Sequence, residues 1–236
     1  MHSNSPTLSK AMLQRVSVVI PAINEERSIA EIIEGCKKVA DEVLVVDGHS
    51  RDRTREISKK LGVKVVLDNK KGKGDGIRVG IREAKYEIIV FIDADGSHDP
   101  ADIPDLVKPI LEGNSDMVIG SRAKGGSDEF KMNIENLIRQ VGSDFAATIV
   151  NYRWKADLTD IQNGFRALKT SVARDLNLKA NDFDIEEEMV MKTLRKKYII
   201  SEIKSHEYVR QWGVSKLKTS KAWKFIYRIL IEVIRL

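Results

Sequence analysis

Five short β-branched runs, separated by stretches with helical period, fill the first half of the chain and restrict it to one class of architecture. VSVVIPA (16–22), VLVVD (43–47), VKVVLD (63–68), EIIVFID (87–93) and SDMVIGS (115–121) are apolar at consecutive more than at alternate positions. Strands buried on both faces have that pattern. Between them, helical periodicity runs from Ser28 to Ala40, through RDRTREISKKLG (51–62) as far as Gly62, and through GIRVGIREAK (76–85). The alternation predicts an α/β domain, a mostly parallel central sheet with helices on both faces. Sheets of that kind bind ligands beyond the carboxyl ends of their strands. Asn24, Asp47, Asp93 and Asp95 all fall there.

The second half is less regular. AKGGSDEF (123–130) reads as a mobile loop, a long helix is expected over about 131 to 150, and residues 155–210 mix short strands and loops with a helix near EEEMVMKTLRKK (186–197). No linker splits the chain, so one domain is expected over 16–217, after a polar leader at 1–15 and before a separate segment at 218–236. The net charge of +5 is spread along the chain and does not point to nucleic acid. A single cysteine, Cys36, excludes an internal disulfide framework and fits a reducing compartment. Its setting, IIEGCKKVA, is a helix surface that predicts packing rather than catalysis. MHSNSPTLSKAMLQ has no apolar stretch of the signal-peptide kind, and no run of about 18 uncharged apolar residues marks a membrane span.

The chemistry is concentrated in VFIDADGSHDP (90–100), where a buried strand ends in Asp93 and Asp95. At a fraying strand end both carboxylates can turn to one ligand, and two hard oxygen donors suit Mg²⁺ or Mn²⁺ shared with substrate phosphates. Alone, the same residues describe a solvated turn, with Asp99 capping a helix at Pro100; His98 is expected either to touch a phosphate or the metal or to be a turn histidine hydrogen-bonded to backbone. His2, His49 and His206 have no metal-ligand spacing. VVDGHSRDRT places Asp47 at a second strand end, with Ser50 or Asp52 able to cap the next helix. NKKGKGDGIRVGI offers a glycine-flanked Lys73 ahead of a helix start, either a diphosphate contact or a flexible basic turn. VIGSR ends a third strand in Arg122, a planar fork suited to phosphate.

In this order, VSVVIPAINEE, VLVVDGHSRDRT, KGKGDGIRVGI, VFIDADGSHDP and VIGSR resemble the family 2 glycosyltransferases with the GT-A nucleotide-sugar fold, over roughly residues 16 to 216. The second half is similar to the dolichyl- or polyprenyl-phosphate mannose and glucose synthases in Arg139 with Ser143, DIQNGFRAL (160–168), FDIEEE (183–188) and RQWGVSKL (210–217). The resemblance implies that Pro21, Asn24 and Glu25 border the nucleotide and that Asp47 contacts its base or ribose. It implies that Asp93 and Asp95 hold metal and diphosphate, with Ser97 as a further metal contact. Arg122, Arg139 and Ser143 would grip acceptor or donor phosphate, and Arg210, with Ser215 and Lys216, would lie over the transferring phosphates.

The sequence departs from the family pattern at Ile23, where an aromatic is common, at Gly48, where a second aspartate is common, and at Ser97, where mannose synthases tend to carry glutamine. Gln162 looks more like the glucose synthases and tilts the donor toward a UDP-sugar. The implied reaction is metal-dependent transfer of a hexose with inversion. A lipid-phosphate acceptor, already an anion, needs no strong base. A hydroxyl acceptor needs a carboxylate, for which Asp160 and Glu186 are the candidates, unless Asp160 orients the Gly164 loop and Glu186 caps the helix after Phe183.

KAWKFIYRILIEVIRL (221–236) carries Lys221, Lys224, Arg228, Glu232 and Arg235 at spacings of three and four, a narrow polar stripe on an apolar helix. Sixteen residues reach about 24 Å, short of a bilayer core. A basic amphipathic helix at a membrane surface is expected, with packing on the domain or a second subunit as the alternative. The implied location is the cytoplasmic face of a membrane, with a nucleotide sugar and a polyprenyl phosphate as partners and room for a homo-oligomer or a membrane-protein partner. Two other functions remain open: a soluble glycosyltransferase acting on a small phosphorylated or hydroxylic acceptor, and a nucleotide-sugar-binding protein without turnover.

Overall fold

A computed structural model describes residues 16–128 and 134–210, together with Ile231, and gives the course of the backbone without side chains over 134–140. The leader at 1–15, Ser215, Lys216 and the expected amphipathic helix lie outside the described residues. In chain order the elements are β1 (Val16–Ala22), α1 (Ile29–Lys37), β2 (Glu42–Asp47), α2 (Thr54–Lys60), β3 (Lys64–Leu67), α3 (Lys73–Glu83), β4 (Ile88–Phe91) and α4 (Ile103–Leu111). They continue with β5 (Met117–Ser121), the single turn α5 (Arg122–Gly125), α6 (Ile134–Trp154), β6 (Arg166–Lys169), α7 (Thr170–Asp175), α8 (Ile185–Arg195) and β7 (Ile200–Lys204).

One sheet holds all seven described strands in the order β3-β2-β1-β4-β6-β5-β7. β1 to β4 are parallel neighbours, and Ala22 stands beside Asp47 at the end where both strands exit. β5 and β7 also pair in parallel. β6 runs against both of its neighbours, so Arg166, its first residue, lies beside Phe91 and Ile119. The sheet is thus mostly parallel, with one reversed strand that the sequence pattern did not reveal.

Alternate residues of the same strands feed two cores. Val19, Leu44, Ile89 and Met117 pack under α3, α6 and α8, while Val18, Val45, Val90 and Val118 pack under α1 and α4. Burial on both faces is why the runs of β1, β2, β4 and β5 are continuously apolar; β3, at the edge of the sheet, is only partly buried. Cys36 lies in the second core on α1, and burial pushes its thiol up to about 12, which agrees with an inert packing role.

Several boundaries differ from the sequence expectation. The helix expected at 51–62 is only Thr54–Lys60, because Asp52 holds the entry: its carboxylate accepts from the Thr54 N–H at 3.0 Å. Ser50 does not cap it, since its hydroxyl accepts from the Asn24 N–H instead, at 2.9 Å. The long helix, described from Ile134, runs on past the expected end at 150 to Trp154. As far as it is described, the segment expected to be a mobile loop at 123–130 is the turn α5 followed by a bridge from Ser127 to Glu207. Ser121 caps this turn by accepting from the Lys124 N–H at 3.2 Å. Asp99 caps Pro100–Asp102 as expected, accepting from the Ala101 N–H at 2.8 Å.

Candidate active site

The exits of β1, β2 and β4 and the entry of β6 converge on one edge of the sheet. At the β1 and β2 exits, Asn24 takes a left-handed backbone (φ 54°), and its side-chain carbonyl accepts from the Arg51 N–H at 2.8 Å. Glu25 is buried, and its N–H donates to the Thr54 hydroxyl at 2.8 Å. These bonds tie the PAINEE turn after Pro21 to the start of α2. Asp47 is fully buried; one carboxylate oxygen accepts from the Ser50 N–H at 3.0 Å, and the other, Oδ2, has no hydrogen-bond partner among the described residues. A buried acceptor left without a donor is costly and marks a place where a ligand donor fits.

At the β4 exit the two aspartates face different cations. Asp95 Oδ2 lies 2.7 Å from the Arg210 guanidinium, and its Oδ1 accepts from the Ser97 N–H at 3.0 Å. Asp93 lies 2.9 Å from Lys73 Nζ, which also reaches Glu186 at 3.0 Å. Burial pushes the Asp93 carboxyl up, but Lys73 opposes it and holds it below the ordinary carboxylate range. Burial likewise opposes the charge on Lys73, and Asp93 and Glu186 more than restore it, so the amine stays protonated. His98 is not hydrogen-bonded to backbone as the turn chemistry suggested. Its ring stacks on Phe165 with centroids 5.0 Å apart, and its Nδ1 has no partner among the described residues. Burial lowers its pKa despite the pull of Asp93, so it is neutral near pH 7.

Lys73 does not precede its helix. It is the first residue of α3, and the glycines on either side serve close packing rather than a phosphate cradle. The Gly74 N–H donates to the Asn181 carbonyl at 3.0 Å, and a Cβ on Gly74 would stand 2.5 Å from the Ala180 carbonyl oxygen. That neighbouring loop is fixed by Glu188, whose carboxylate accepts the N–H groups of Lys179 at 2.9 Å and Ala180 at 2.7 Å. So the helix start meets a backbone wall, and Lys73 turns inward to the acids.

Arg122 and Asp160 form a second cluster at the β5 exit and the β6 entry. The guanidinium donates from Nε to Asp160 Oδ2 at 2.6 Å and from Nη2 to Oδ1 at 3.0 Å, and Nη1 reaches Glu207 at 3.3 Å. Burial raises the Asp160 pKa, but Arg122 outweighs it and keeps the carboxylate ionised. Asp160 also accepts the N–H groups of Gln162 and Asn163, both at 3.1 Å, which is the loop-orienting role. Both forks of Arg122 are therefore engaged by protein carboxylates. Arg166 is fully buried without a carboxylate contact and donates instead to the carbonyls of Asn163 at 2.9 Å and Glu186 at 3.0 Å.

The structure brings together Asp93, Asp95, Lys73, Glu186 and Arg210, and separately Arg122, Asp160 and Glu207. Glu186 does not cap α8; Asp184 holds the cap position, and Glu186 sits in the first turn facing Lys73. Ser97 is buried. Ser143 is half-buried on α6, one turn after Arg139, whose side chain lies outside the description. Sequence reading missed Glu187, which accepts from Gln162 Nε2 at 2.7 Å, and Glu207, which joins Arg122 to the Ser127 hydroxyl. Glu207 left a faint signal, three residues before Arg210; Glu187, inside a triplet of acids, left none.

Comparison with known proteins agrees with this geometry. A model of the family described as Glycosyl transferase family 2 matches residues 17–176. Dolichol-phosphate mannosyltransferase of Pyrococcus furiosus is 33% identical over 229 residues, 92% of this chain and 64% of that protein. The UDP-N-acetylglucosamine–dolichyl-phosphate N-acetylglucosaminyltransferase of Methanococcus voltae is 26% identical over 242 residues, 92% of this chain and 95% of that protein. The crystal structure of glucosyl-3-phosphoglycerate synthase from Mycobacterium tuberculosis, in complex with Mn²⁺, uridine diphosphate and glucosyl-3-phosphoglycerate, matches with a TM-score of 0.74 at 20% identity. It covers 98% of this chain and 86% of that one, a likeness of fold. The chain belongs to glycosyl transferase family 2 and is a glycosyltransferase of GT-A fold.

Proposed function

We propose that the protein transfers a hexose from a nucleotide sugar to a polyprenyl or dolichyl phosphate, with inversion at the anomeric carbon. The observation that carries this reading is the Asp95–Arg210 pair, 2.7 Å apart at the β4 exit, beside the Asp93–Lys73–Glu186 cluster. Acids and cations that neutralise one another are poised to exchange partners when a diphosphate and its counter-ion enter. Asp47, with its unpartnered oxygen, supplies the acceptor that a nucleoside needs.

The donor set fits a divalent cation. Asp93 and Asp95 are hard oxygen ligands, and among the described residues no set of three acid, histidine or cysteine side chains is placed to hold one ion. That suits Mg²⁺ or Mn²⁺, which keep part of their shell for phosphate oxygens and water. When bound, the ion offsets the charge that develops on the departing nucleoside diphosphate. Arg210 would act on the same charge once the diphosphate displaces it from Asp95. Arg122, held by Asp160 and Glu207, would position the loop before β6. A phosphate acceptor is already an anion, so no carboxylate base is required.

The lipid acceptor is supported by the two relatives named for dolichyl phosphate. It is also supported by Val141, Phe145 and Tyr152, which are 59%, 61% and 90% exposed along one face of α6. No described helix is long and apolar enough to cross a membrane; we place the protein peripherally at the cytoplasmic face. A second reading, a small phosphorylated acceptor, is favoured by the fold of glucosyl-3-phosphoglycerate synthase.

The test is a transfer assay with Mn²⁺ or Mg²⁺, a polyprenyl phosphate, and labelled UDP-glucose, UDP-N-acetylglucosamine or GDP-mannose in turn. Label passing into organic solvent with one donor, and lost in Asp95→Ala, supports the proposal. Label that stays in water with every donor while phosphoglycerate is glycosylated overturns it in favour of the second reading.

A further inference from the structure

Arg55 belongs to none of the motifs that identified the site, yet it stands against the most buried acid in it. It lies in the first turn of α2, with 43% of its side chain exposed. Its Nε is 3.4 Å from Asp47 Oδ1, and its Nη2 donates to the Ser50 carbonyl at 3.0 Å. Two contacts thus fix the plane of the guanidinium beside the carboxylate. Asp47 Oδ1 is occupied by the Ser50 N–H and by Arg55, while Oδ2 is buried and unpartnered among the described residues. An aliphatic side chain stands beside this pair. Ile23 is 38% exposed next to Gly48, where a Cβ would come within 3.2 Å of the Ile23 Cβ, so the absence of a side chain at 48 keeps Ile23 in place.

We propose that Arg55 is a specificity-determining residue for the donor's base, forming with Asp47 an acceptor-and-donor pair that selects uracil or guanine over cytosine and adenine. This rests on the assignment of the strand-end site to a nucleotide sugar. The chemistry is that of complementary edges. Uracil and guanine each present a ring N–H beside a carbonyl, so the N–H donates to Asp47 and the carbonyl accepts from Arg55. Cytosine and adenine reverse that order: an unprotonated ring nitrogen would face the carboxylate, and an amino group would face the guanidinium. Both contacts are then lost together, and the buried Asp47 oxygen stays without a donor. Ile23 covers the ring face of whichever base is bound and has no preference of its own, so discrimination falls on the polar edge.

The experiment is calorimetric titration of the whole chain, with Mn²⁺ present, with UDP, GDP, CDP and ADP. A two-point edge contact discriminates by about tenfold or more, so the wild-type chain is expected to bind UDP or GDP at least that much tighter than CDP and ADP. Arg55→Ala is expected to weaken the favoured nucleotide about tenfold while leaving CDP and ADP nearly unchanged, which narrows the selectivity. Asp47→Asn, which can turn an amide donor toward the base, is expected to raise the relative affinity for CDP. Circular dichroism of each variant separates misfolding from lost recognition. An equal loss for all four nucleotides in Arg55→Ala, or no loss, overturns the role of Arg55 and leaves the donor site standing. Failure of the wild-type chain to bind any of the four overturns the donor site and the role of Arg55 together.

Discussion

Replacing Lys73 by methionine keeps most of the side chain's apolar length and removes one charge from between the half-buried Asp93 and the buried Glu186. Its amine lies 2.9 Å from Asp93 and 3.0 Å from Glu186, and the side chains of Lys73 and Glu186 are only 16% and 4% exposed. Asp93 retains the influence of Arg210. Glu186 keeps only the buried Arg166 near it, and among the described residues neither of its carboxylate oxygens has a hydrogen bond beyond the Lys73 ion pair. Removing one partner of a buried pair costs about 3–5 kcal/mol, because the remaining charge is stranded in a medium that solvates it poorly. At about 2–4 °C per kcal/mol for a chain of this size, the melting temperature should fall by roughly 10 °C.

Urea unfolding of Lys73→Met, Glu186→Gln and the double variant measures the coupling. The double variant should recover at least half of the loss, because the stranded charge is gone. Lys60→Met is the control: Lys60 pairs with Glu56 at 2.8 Å, but both side chains are more than half exposed, and its stability should match the wild type within error. The reasoning is refuted if Lys73→Met behaves like that control, or if the two substitutions at 73 and 186 simply add.

The remaining predictions concern the other buried groups. Burial, with Glu186 beside it, pushes Glu187 up to about 8 against the Gln162 hydrogen bond. The folded chain therefore holds a proton that the unfolded chain releases from about pH 4.3 upward. This group stabilises the fold in acid and loses that contribution as pH rises to about 8. Glu187→Gln should accordingly flatten the decline in unfolding free energy between pH 5 and pH 8, and parallel curves would count against a protonated Glu187. Gly74→Ala would press a methyl against the Ala180 carbonyl at 2.5 Å and against Asn181 backbone at 2.9 Å; a loss of about 1–3 kcal/mol in denaturant unfolding is expected. Cys36, buried and with its thiol raised to about 12, should not react with a thiol reagent in the native chain and should give one equivalent in denaturant.

Much of this fold is legible because its strands are buried on both faces. VSVVIPA and VLVVD are so continuously apolar that β1 and β2 follow within a residue, and a parallel sheet places their acids at one edge. β6 is four residues, RALK, and nothing in so short a run encodes its direction. Of the acids at 186–188 only Glu186 was singled out in the sequence, yet all three are buried. Their partners are Lys73, Gln162 and the backbone of 179–180, two of them distant in sequence, so only the tertiary structure could show the burial. The glycines around Lys73 misled for a related reason. A glycine that admits a phosphate and a glycine that admits another backbone look the same in a sequence, and here the backbone of 180–181 is the neighbour. Asp93, Asp95 and Asp47 could be found from position alone; that Lys73, Arg210 and Arg55 pair with them could not.

The reversed strand β6 has an effect on how this scaffold accommodates different substrates. A parallel strand delivers its last residue to the working edge, whereas β6 delivers its first, Arg166, and with it the turn Asp160–Phe165. The half of the edge made by β1, β2 and β4 is thus anchored by where chains leave the sheet, and the other half by where one chain comes home. Everything between the exit of β5 and that return is a detour whose length no sheet hydrogen bond measures. An insertion there changes what hangs over the far half and leaves the near half in register. A sheet wired in this way can keep one grip on its incoming fragment while the recipient is exchanged. Among the proteins this chain is similar to, the names run from a dolichol-phosphate mannosyltransferase to a glucosyl-3-phosphoglycerate synthase.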